Sequence, residues 1–166
     1  MLNITRDTGQ FLSVLVHATA SKQILEVGTS NGYSTLWLAE AVSVNGGRVT
    51  TLEKYEYKIA LAAKNFNRSG LSHVIAQVQC DAGEFLANLE ESSFDLIFLD
   101  SERSEYSGWW PHLRRALRNQ GLLVVDNATS HPADVSSFIE LVSSEKEFRT
   151  VTVPVGNGEF LAVKSI

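Results

Sequence analysis

The chain has 166 residues, of which 44% are hydrophobic and 20% are charged, and its formal net charge is -5. This length suits one globular domain with a sizeable core, so we expect a single domain spanning residues 1–166. The acidic balance, with no basic run longer than Arg114-Arg115, argues against a nucleic-acid partner. No segment approaches the roughly 20 apolar residues of a membrane span, and no signal-peptide pattern is present. The single cysteine, Cys80, is expected to be buried in a strand, and the sequence favours a cytoplasmic protein.

Apolar runs alternate with helical patterns along the chain, beginning with a predicted helix around Asp7–Thr19. The predicted strands, in chain order, are Gln23–Val27, Arg48–Leu52, Val74–Gln79, Phe94–Leu99, Leu122–Val125, Phe148–Val153 and Glu159–Val163. The helices between them are predicted from apolar stripes formed by Ile59, Ala63 and Phe66, by Phe85, Leu86 and Leu89, by Trp110, Leu113 and Leu117, and by Val135, Phe138, Ile139 and Val142.

This alternation of strands and helices predicts an α/β protein with a parallel sheet that helices cover on both faces. The last two strands differ, because Pro154–Gly158 joins them without a helix. Such a connection is typical of a hairpin, so the last strand should run antiparallel to the one before it.

Acidic residues follow five consecutive predicted strands. They are Glu26, Glu53, Asp81, Asp100 and Asp126, the last beside Asn127. In open α/β sheets, ligands bind at the carboxyl ends of the strands. Like charges gathered at one edge cost stability unless something positive or hydrogen-bonding meets them. The edge therefore indicates a cation, or a ligand rich in hydroxyl and amine groups.

The loop Gly28–Gly32 follows the first strand and opens the next helix. Ser30 stands where a dinucleotide-binding loop would have its middle glycine, and no lysine follows, so the loop is not a P-loop. Glu53 lies some 20-odd residues further on, a position that suits capture of ribose hydroxyls. The alternative is that Glu53 is a surface acid beside Lys54.

Four stretches together resemble class I S-adenosylmethionine (SAM)-dependent methyltransferases, and most closely the metal-dependent O-methyltransferases of the catechol and caffeoyl-CoA type. They are LEVGTSNGYSTLWLA, FDLIFLDSERSEY, GLLVVDN and VPVGNGEFLAVK. The resemblance runs from about Gly9 to Lys164. It implies a Rossmann-like methyltransferase fold, with a seven-stranded, mostly parallel sheet whose antiparallel last strand lies between strands five and six. The implied activity is transfer of a methyl group from SAM to a hydroxyl of a small acceptor.

The resemblance also implies a cofactor site. Its residues would be Glu26, Gly28, Thr29, Ser30, Gly32, Ser34, Glu53, Asp81, Ala82 and Asp100. The glycine loop would surround the methionine part of SAM, with Ser34 at its carboxylate. Glu53 would hold the ribose, and Asp81 and Ala82 would flank the adenine.

A divalent metal, most simply Mg²⁺, is implied at Asp100, Asp126 and Asn127. Two carboxylates and an amide oxygen are the hard ligands that Mg²⁺ prefers, and such an ion would lower the pKa of an acceptor hydroxyl. The alternative is that Asp100 serves the amino group of the cofactor, while Asp126 and Asn127 cap the next helix.

Two departures from the family pattern bear on catalysis. Arg103 stands where catechol-type enzymes place a catalytic lysine, and arginine cannot act as a base near neutral pH. His131 is a candidate substitute, or a partly exposed residue at the start of a helix. Only about 20 residues precede the first strand, which leaves the acceptor site either open or completed by a second copy in a homodimer.

Three alternatives stay open. The first is a metal-independent methyltransferase of the same fold, which Arg103 favours. The second is a cofactor-binding regulatory protein without catalysis. The third, a nicotinamide-dependent dehydrogenase, is disfavoured by Ser30. Trp109 and Trp110 could form an aromatic wall for a flat acceptor, but packing of their helix is favoured because Trp110 aligns with Leu113.

Overall fold

The structure, a computed structural model, describes residues 3–165. Its helices are α1 (Arg6–Ala18), α2 (Tyr33–Val44), α3 (Glu56–Ser69), α4 (Ala82–Ala87), α5 (Tyr106–Ala116) and α6 (Pro132–Ser144). Its strands are β1 (Gln23–Val27), β2 (Arg48–Glu53), β3 (Ile75–Gln79), β4 (Phe94–Leu99), β5 (Leu117–Val125), β6 (Phe148–Val153) and β7 (Glu159–Lys164).

The seven strands form one sheet in the order β3-β2-β1-β4-β5-β7-β6. Neighbours from β3 to β5 pair in parallel, whereas β7 pairs antiparallel with both β5 and β6. The predicted fold is confirmed, including the insertion of the antiparallel last strand between strands five and six. It is a Rossmann-like methyltransferase fold.

The core lies on both faces of the sheet, because the central strands are buried on both sides. All six residues of β4 are buried. On one face, α1 and α2 pack through residues such as Leu12 and Leu38. On the other face, α4, α5 and α6 pack through residues such as Leu86, Trp110 and Phe138. The prediction of helices on both faces is therefore confirmed.

The fifth strand is longer than the sequence predicts. It begins at Leu117, which pairs with Phe94, and its pairing then resumes at Leu122 opposite Leu96. The residues between them bulge out of register, and Gln120 has a φ of 64°. Residues Asn119–Gly121 thus form a break in register within β5, and Leu117 lies in the strand rather than on the predicted helical stripe of α5.

The bounds of the other elements differ by a residue or two. The third strand begins at Ile75 rather than Val74, because residues 72–74 form a short 3₁₀ turn. The second strand extends to Glu53, whose backbone pairs with Gln79. The opening helix runs over Arg6–Ala18, where the Thr5 side chain accepts a hydrogen bond from the Thr8 N–H at 3.1 Å. None of the helices in residues 3–165 has the length and apolar character that crossing a membrane requires.

Candidate active site

A cavity of about 570 Å³ opens at the carboxyl ends of β1 to β4. Its volume is in the range of sites that hold small molecules and cofactors. Among the residues predicted to bind the cofactor, those that line it are Gly28, Ser30, Glu53, Asp81, Ala82 and Asp100. Those that do not line it are Glu26, Thr29, Gly32 and Ser34. The predicted cofactor residues therefore form two groups, one that lines the cavity and one that lies beneath this lining.

Gly28 brings the ends of β1 and β4 together. Its φ is 107°, and a Cβ atom at this position would lie 2.1 Å from the carbonyl oxygen of Asp100. Its N–H donates to the Leu52 carbonyl at 3.0 Å, and the Asp100 N–H donates to the Val27 carbonyl at 3.1 Å. Only glycine fits this close approach, which sets the floor of the cavity.

Glu26 lies beneath the glycine loop and is fully buried. Its carboxylate accepts hydrogen bonds from the hydroxyls of Ser34, Thr35 and Thr51 at 2.5, 2.5 and 2.6 Å. Burial raises the pKa of Glu26 above its usual value, although the hydroxyl donors oppose this. Ser34 thus gives its hydroxyl hydrogen to Glu26, and the predicted contact of Ser34 with the cofactor stays a prediction.

Glu53 is held in place by three backbone N–H groups. One carboxylate oxygen accepts from Ser30 at 3.0 Å, and the other accepts from Lys54 at 3.0 Å and Tyr55 at 3.1 Å. The residue is 7% exposed and lines the cavity. Since each carboxylate oxygen has two lone pairs, Oε2 keeps one for a ligand hydroxyl. The alternative of a surface acid is wrong.

The far end of the cavity is formed by the start of α4 and by α5. Asp81 caps α4 by accepting from the Glu84 N–H at 3.2 Å. Trp109 lines the cavity, and its indole nitrogen lies 3.1 Å from the position that a Cβ of Gly83 would occupy. Cys80 is only partly buried and also lines the cavity, so its predicted burial within a strand is wrong.

The two tryptophans have different surroundings. Trp110 is 3% exposed and donates from its indole nitrogen to Glu145 at 2.7 Å. Its ring packs on Phe138 and Phe148. The packing interpretation is therefore confirmed for Trp110, whereas Trp109 faces the cavity.

Asp100, Asp126 and Asn127 come together at the ends of β4 and β5. The amide nitrogen of Asn127 donates to Asp126 Oδ2 at 2.8 Å and to Asp100 Oδ1 at 3.4 Å. Burial, together with the carboxylates of Asp126 and Glu26, raises the pKa of Asp100 to about 7. Within residues 3–165, Asp126 Oδ1 is buried and has no hydrogen-bond partner.

Glu159 belongs to the same cluster, and sequence reasoning missed it. It is fully buried, and its Oε1 accepts from the Thr8 hydroxyl at 2.9 Å. Burial and the carboxylate of Asp126 raise its pKa to about 10. The available signal was topological: an inserted antiparallel strand begins at the edge where the parallel strands end, and Glu159 is the first residue of β7.

Arg103 and His131 lie outside the cavity lining. Arg103 is in the turn after β4, and its Nη1 is 3.9 Å from Asp134 Oδ2 in the first turn of α6. His131 is exposed at the start of α6, where its Nδ1 lies 2.9 Å from the Ser130 hydroxyl. That hydroxyl also donates to Asn127 Oδ1 at 3.1 Å. Neither side chain is hydrogen-bonded to Asp100, and their predicted catalytic roles stay predictions.

Comparison with known proteins places these features in a family. A family model described as O-methyltransferase matches residues 1–165. The chain is 37% identical over 132 residues to a catechol O-methyltransferase of Niastella koreensis, covering 76% of this chain and 58% of that protein. It is 32% identical over 124 residues to a catechol O-methyltransferase of Mycobacterium tuberculosis, covering 75% of this chain and 56% of that protein. The matches thus span less than two thirds of these relatives.

Solved structures agree with this similarity. The O-methyltransferase from Bacillus cereus in complex with SAH superposes with a TM-score of 0.90 at 27% identity, covering 98% of this chain and 83% of that one. The O-methyltransferase TomG from Streptomyces achromogenes in complex with SAM gives a TM-score of 0.89 at 25% identity, covering 99% and 82%. The resemblance inferred from the four sequence stretches is confirmed, and the chain belongs to the O-methyltransferase family whose model it matches.

Proposed function

We propose that this chain is a single methyltransferase domain, residues 1–166, that transfers a methyl group from SAM to a hydroxyl of a small acceptor. The observation that carries the proposal is the cavity at the carboxyl ends of β1 to β4, where three backbone N–H groups hold Glu53 at the cavity wall. A carboxylate fixed in this way is prepared to accept a ribose hydroxyl without a further loss of side-chain entropy. Membership of the O-methyltransferase family supports the same reaction.

The cofactor would lie along the strand ends. The glycine loop, with Gly28 at its start, would receive the methionine part, and Asp100 would accept from its amino group. Glu53 would bind the ribose. The adenine would lie between Asp81-Ala82 and Trp109, which line the same end of the cavity. In this arrangement Glu26 and Ser34 act from beneath, because their mutual hydrogen bond shapes the start of α2.

SAM held there would supply an electrophilic methyl group. Its bond to sulfur would break as the bond to the acceptor oxygen forms, sulfur would keep the electron pair, and the hydroxyl proton would pass to solvent. The protein contributes mainly by holding the two reactants in line, for which about 7–11 kcal/mol is available in principle. The rigid floor made by Gly28 and Asp100 supports that alignment.

The residues at the ends of β4 and β5 fit a hard divalent cation such as Mg²⁺. Asp100 and Asp126 supply carboxylates that a single amide bridges, and Asp126 Oδ1 is buried without a hydrogen-bond partner among residues 3–165. Asn127 would complete the set if its side-chain amide turned over, so that Oδ1 occupied the present position of Nδ2 and faced the cation. When bound, such an ion would supply Lewis-acid stabilisation of the acceptor oxygen as its proton is lost.

A metal-independent enzyme of the same fold is the second candidate, and one observation favours it. The Asn127 amide already donates to one oxygen of each carboxylate. Across the described part of the chain, no three His, Cys, Asp or Glu side chains meet as a metal site. The predicted ligand set contains only two carboxylates, so this result does not test it.

Calorimetric titration with SAM, S-adenosylhomocysteine (SAH) and NAD tests the proposed cofactor. We expect micromolar affinity for SAM and SAH and no binding of NAD. Binding of NAD in preference to SAH would replace the methyltransferase with the dehydrogenase. Binding of SAH without turnover of any hydroxylated acceptor would favour the regulatory protein. The homodimer, the cytoplasmic location and the absence of a nucleic-acid partner stay predictions.

A further inference from the structure

Arg103 is a partly buried cation without a close partner. Its side chain is 25% exposed, and the nearest carboxylate oxygen in an ion pair, Asp134 Oδ2, is 3.9 Å from Nη1. That separation is too long for a hydrogen bond. Within residues 3–165, the guanidinium donates no hydrogen bond, and Asp134 is itself 55% exposed. A guanidinium carries five N–H donors in a planar fork, so most of its capacity is unused.

Two other arginines show what a satisfied guanidinium looks like in this protein. Arg115 donates to the carbonyls of Ala87 and Leu89 at 3.0 and 2.9 Å. Arg118 pairs with Asp95 at 2.9 Å. Arg103 has no such contact, although it is the least exposed of the arginines that form ion pairs in residues 3–165. Its guanidinium therefore keeps unused N–H donors for an anion.

Arg103 also lies where the acceptor is expected. It follows Asp100 in the turn after β4 and faces the first turn of α6, which itself follows Asp126 and Asn127. The cofactor cavity is lined by Glu102 and Glu105, which flank Arg103 in the chain, but not by Arg103 itself. The positive charge of Arg103 acts on Asp100, where it lowers the pKa of the carboxyl and opposes the effect of burial. Arg103 is thus close to the reacting centre but outside the space assigned to SAM.

We propose that Arg103 binds a carboxylate carried by the methyl acceptor, so that the acceptors are hydroxylated carboxylic acids rather than neutral catechols. The proposal rests on the proposed function. A guanidinium stays charged at every physiological pH and matches a carboxylate with two parallel N–H donors. A carboxylate fits better than a phosphate, because it brings one negative charge rather than two to a turn that already carries Glu102 and Glu105 and faces Asp134. Arg103 would then select the substrate, and it would not act as the base.

Two probes that differ by one charge test this selection. They are 3,4-dihydroxybenzoate and 3,4-dihydroxybenzamide, titrated by calorimetry into the full chain saturated with SAH in the presence of Mg²⁺. In the wild type we expect the acid to bind at least roughly tenfold more tightly than the amide, as a charge-assisted pair predicts. Arg103→Gln should bring the two affinities together. Arg103→Lys should keep part of the preference, because it keeps the charge but loses the fork.

Two further variants separate binding by Arg103 from a general effect of charge. Arg149→Gln removes the same charge from an exposed position on β6, where Arg149 pairs with Val163 in the ladder, and should leave the preference unchanged. Asp134→Asn removes the carboxylate that faces Arg103, and should tighten binding of the acid a few-fold while leaving the amide unaffected.

The outcomes are distinct. Equal affinity for the two probes in the wild type, no detectable binding of the acid, or a preference that survives in Arg103→Gln would overturn the proposal. In those cases SAH binding, measured first for every variant, would show that the chain is folded and that the proposed cofactor stands. Failure of the wild type to bind SAH would instead overturn the proposed function, and with it this inference.

Discussion

The Thr8 hydroxyl donates a hydrogen bond of 2.9 Å to Glu159, across 151 positions of the sequence. This contact joins the first turn of α1 to the start of β7 and fixes a buried carboxyl beside Asp126. Because burial raises the pKa of Glu159 to about 10, the side chain is a neutral acid near neutral pH. A neutral carboxyl avoids the repulsion that an ionised Glu159 would exert on Asp126.

Comparison of Glu159→Gln with Glu159→Ala should separate the effect of side-chain shape on stability from the effect of charge. The glutamine keeps the volume, the acceptor for Thr8 and a donor, so the free energy of unfolding should change by less than about 1 kcal/mol. The alanine leaves a cavity and an unpaired Thr8 hydroxyl, and should cost about 2 kcal/mol or more. Urea denaturation in chelator measures both. A clear gain in stability with Glu159→Gln would mean that Glu159 is ionised in the folded protein, because the substitution would then remove repulsion from Asp126.

Glu53→Ala should weaken SAH binding by about 1.5–3 kcal/mol, because a charge-assisted hydrogen bond to the ribose is lost. Calorimetry measures the affinity, and thermal melting confirms that the variant is folded. Glu140→Ala, on the exposed surface of α6, removes the same side chain away from the cavity and should leave the affinity unchanged. A folded Glu53→Ala protein with wild-type affinity would remove Glu53 from the cofactor site.

Gly28→Ala should destabilise the protein by more than about 2 kcal/mol, because it adds a backbone clash to an unfavourable φ. Gly46→Ala is the matched control: its φ is 70°, but nothing lies within 4 Å of the added Cβ. The control should lose only about 1–2 kcal/mol from backbone strain. Chemical denaturation of both variants gives the difference. If the two losses are equal, the close approach of Gly28 to the Asp100 carbonyl is not rigid.

Asp126→Ala should abolish activity that Mg²⁺ or Mn²⁺ restores after chelation, and should leave SAH affinity nearly intact. The carboxylate is 3% exposed beside Asp100, so its loss removes one of the two charged oxygen donors of the predicted metal set. Calorimetry with Mg²⁺ alone provides a readout independent of turnover. Full wild-type activity in chelator, or full activity of Asp126→Ala, would give first place to the metal-independent enzyme.

The sheet and the acidic edge could be predicted from the sequence because both depend on short-range patterns. Continuous apolar runs such as Phe94–Leu99 mark buried parallel strands, and the acids that follow them share an edge by topology alone. The insertion of β7 came from the resemblance, since periodicity gives a hairpin but not its neighbour in the sheet. Glu159 was missed because only the ends of the parallel strands were considered, and an antiparallel strand reaches that edge with its first residue.

Side-chain partners inside the site depend on distances that the sequence does not contain. The Ser34 hydroxyl could bond either to the cofactor or to Glu26 beneath the glycine loop. Its hydrogen bond to Glu26 follows from how α2 packs on β1. Trp109 and Trp110 are adjacent in a helix, so they point about 100° apart. Helical spacing therefore placed Trp110 in the core with Leu113, but which surface Trp109 would face depended on the position of α4.

Transfer of a labelled methyl group is the most direct test of the proposed activity. The purified chain is incubated with SAM labelled at the methyl carbon, 3,4-dihydroxybenzoate and Mg²⁺, and the products are identified by mass spectrometry. We expect one labelled methyl group on a hydroxyl oxygen of the acceptor, with SAH formed in equal amount, and strongly reduced product with Glu53→Ala at low SAM concentration. SAH release without a methylated hydroxyl, or no transfer to any hydroxylated acceptor by a chain that binds SAM, would contradict an O-methyltransferase.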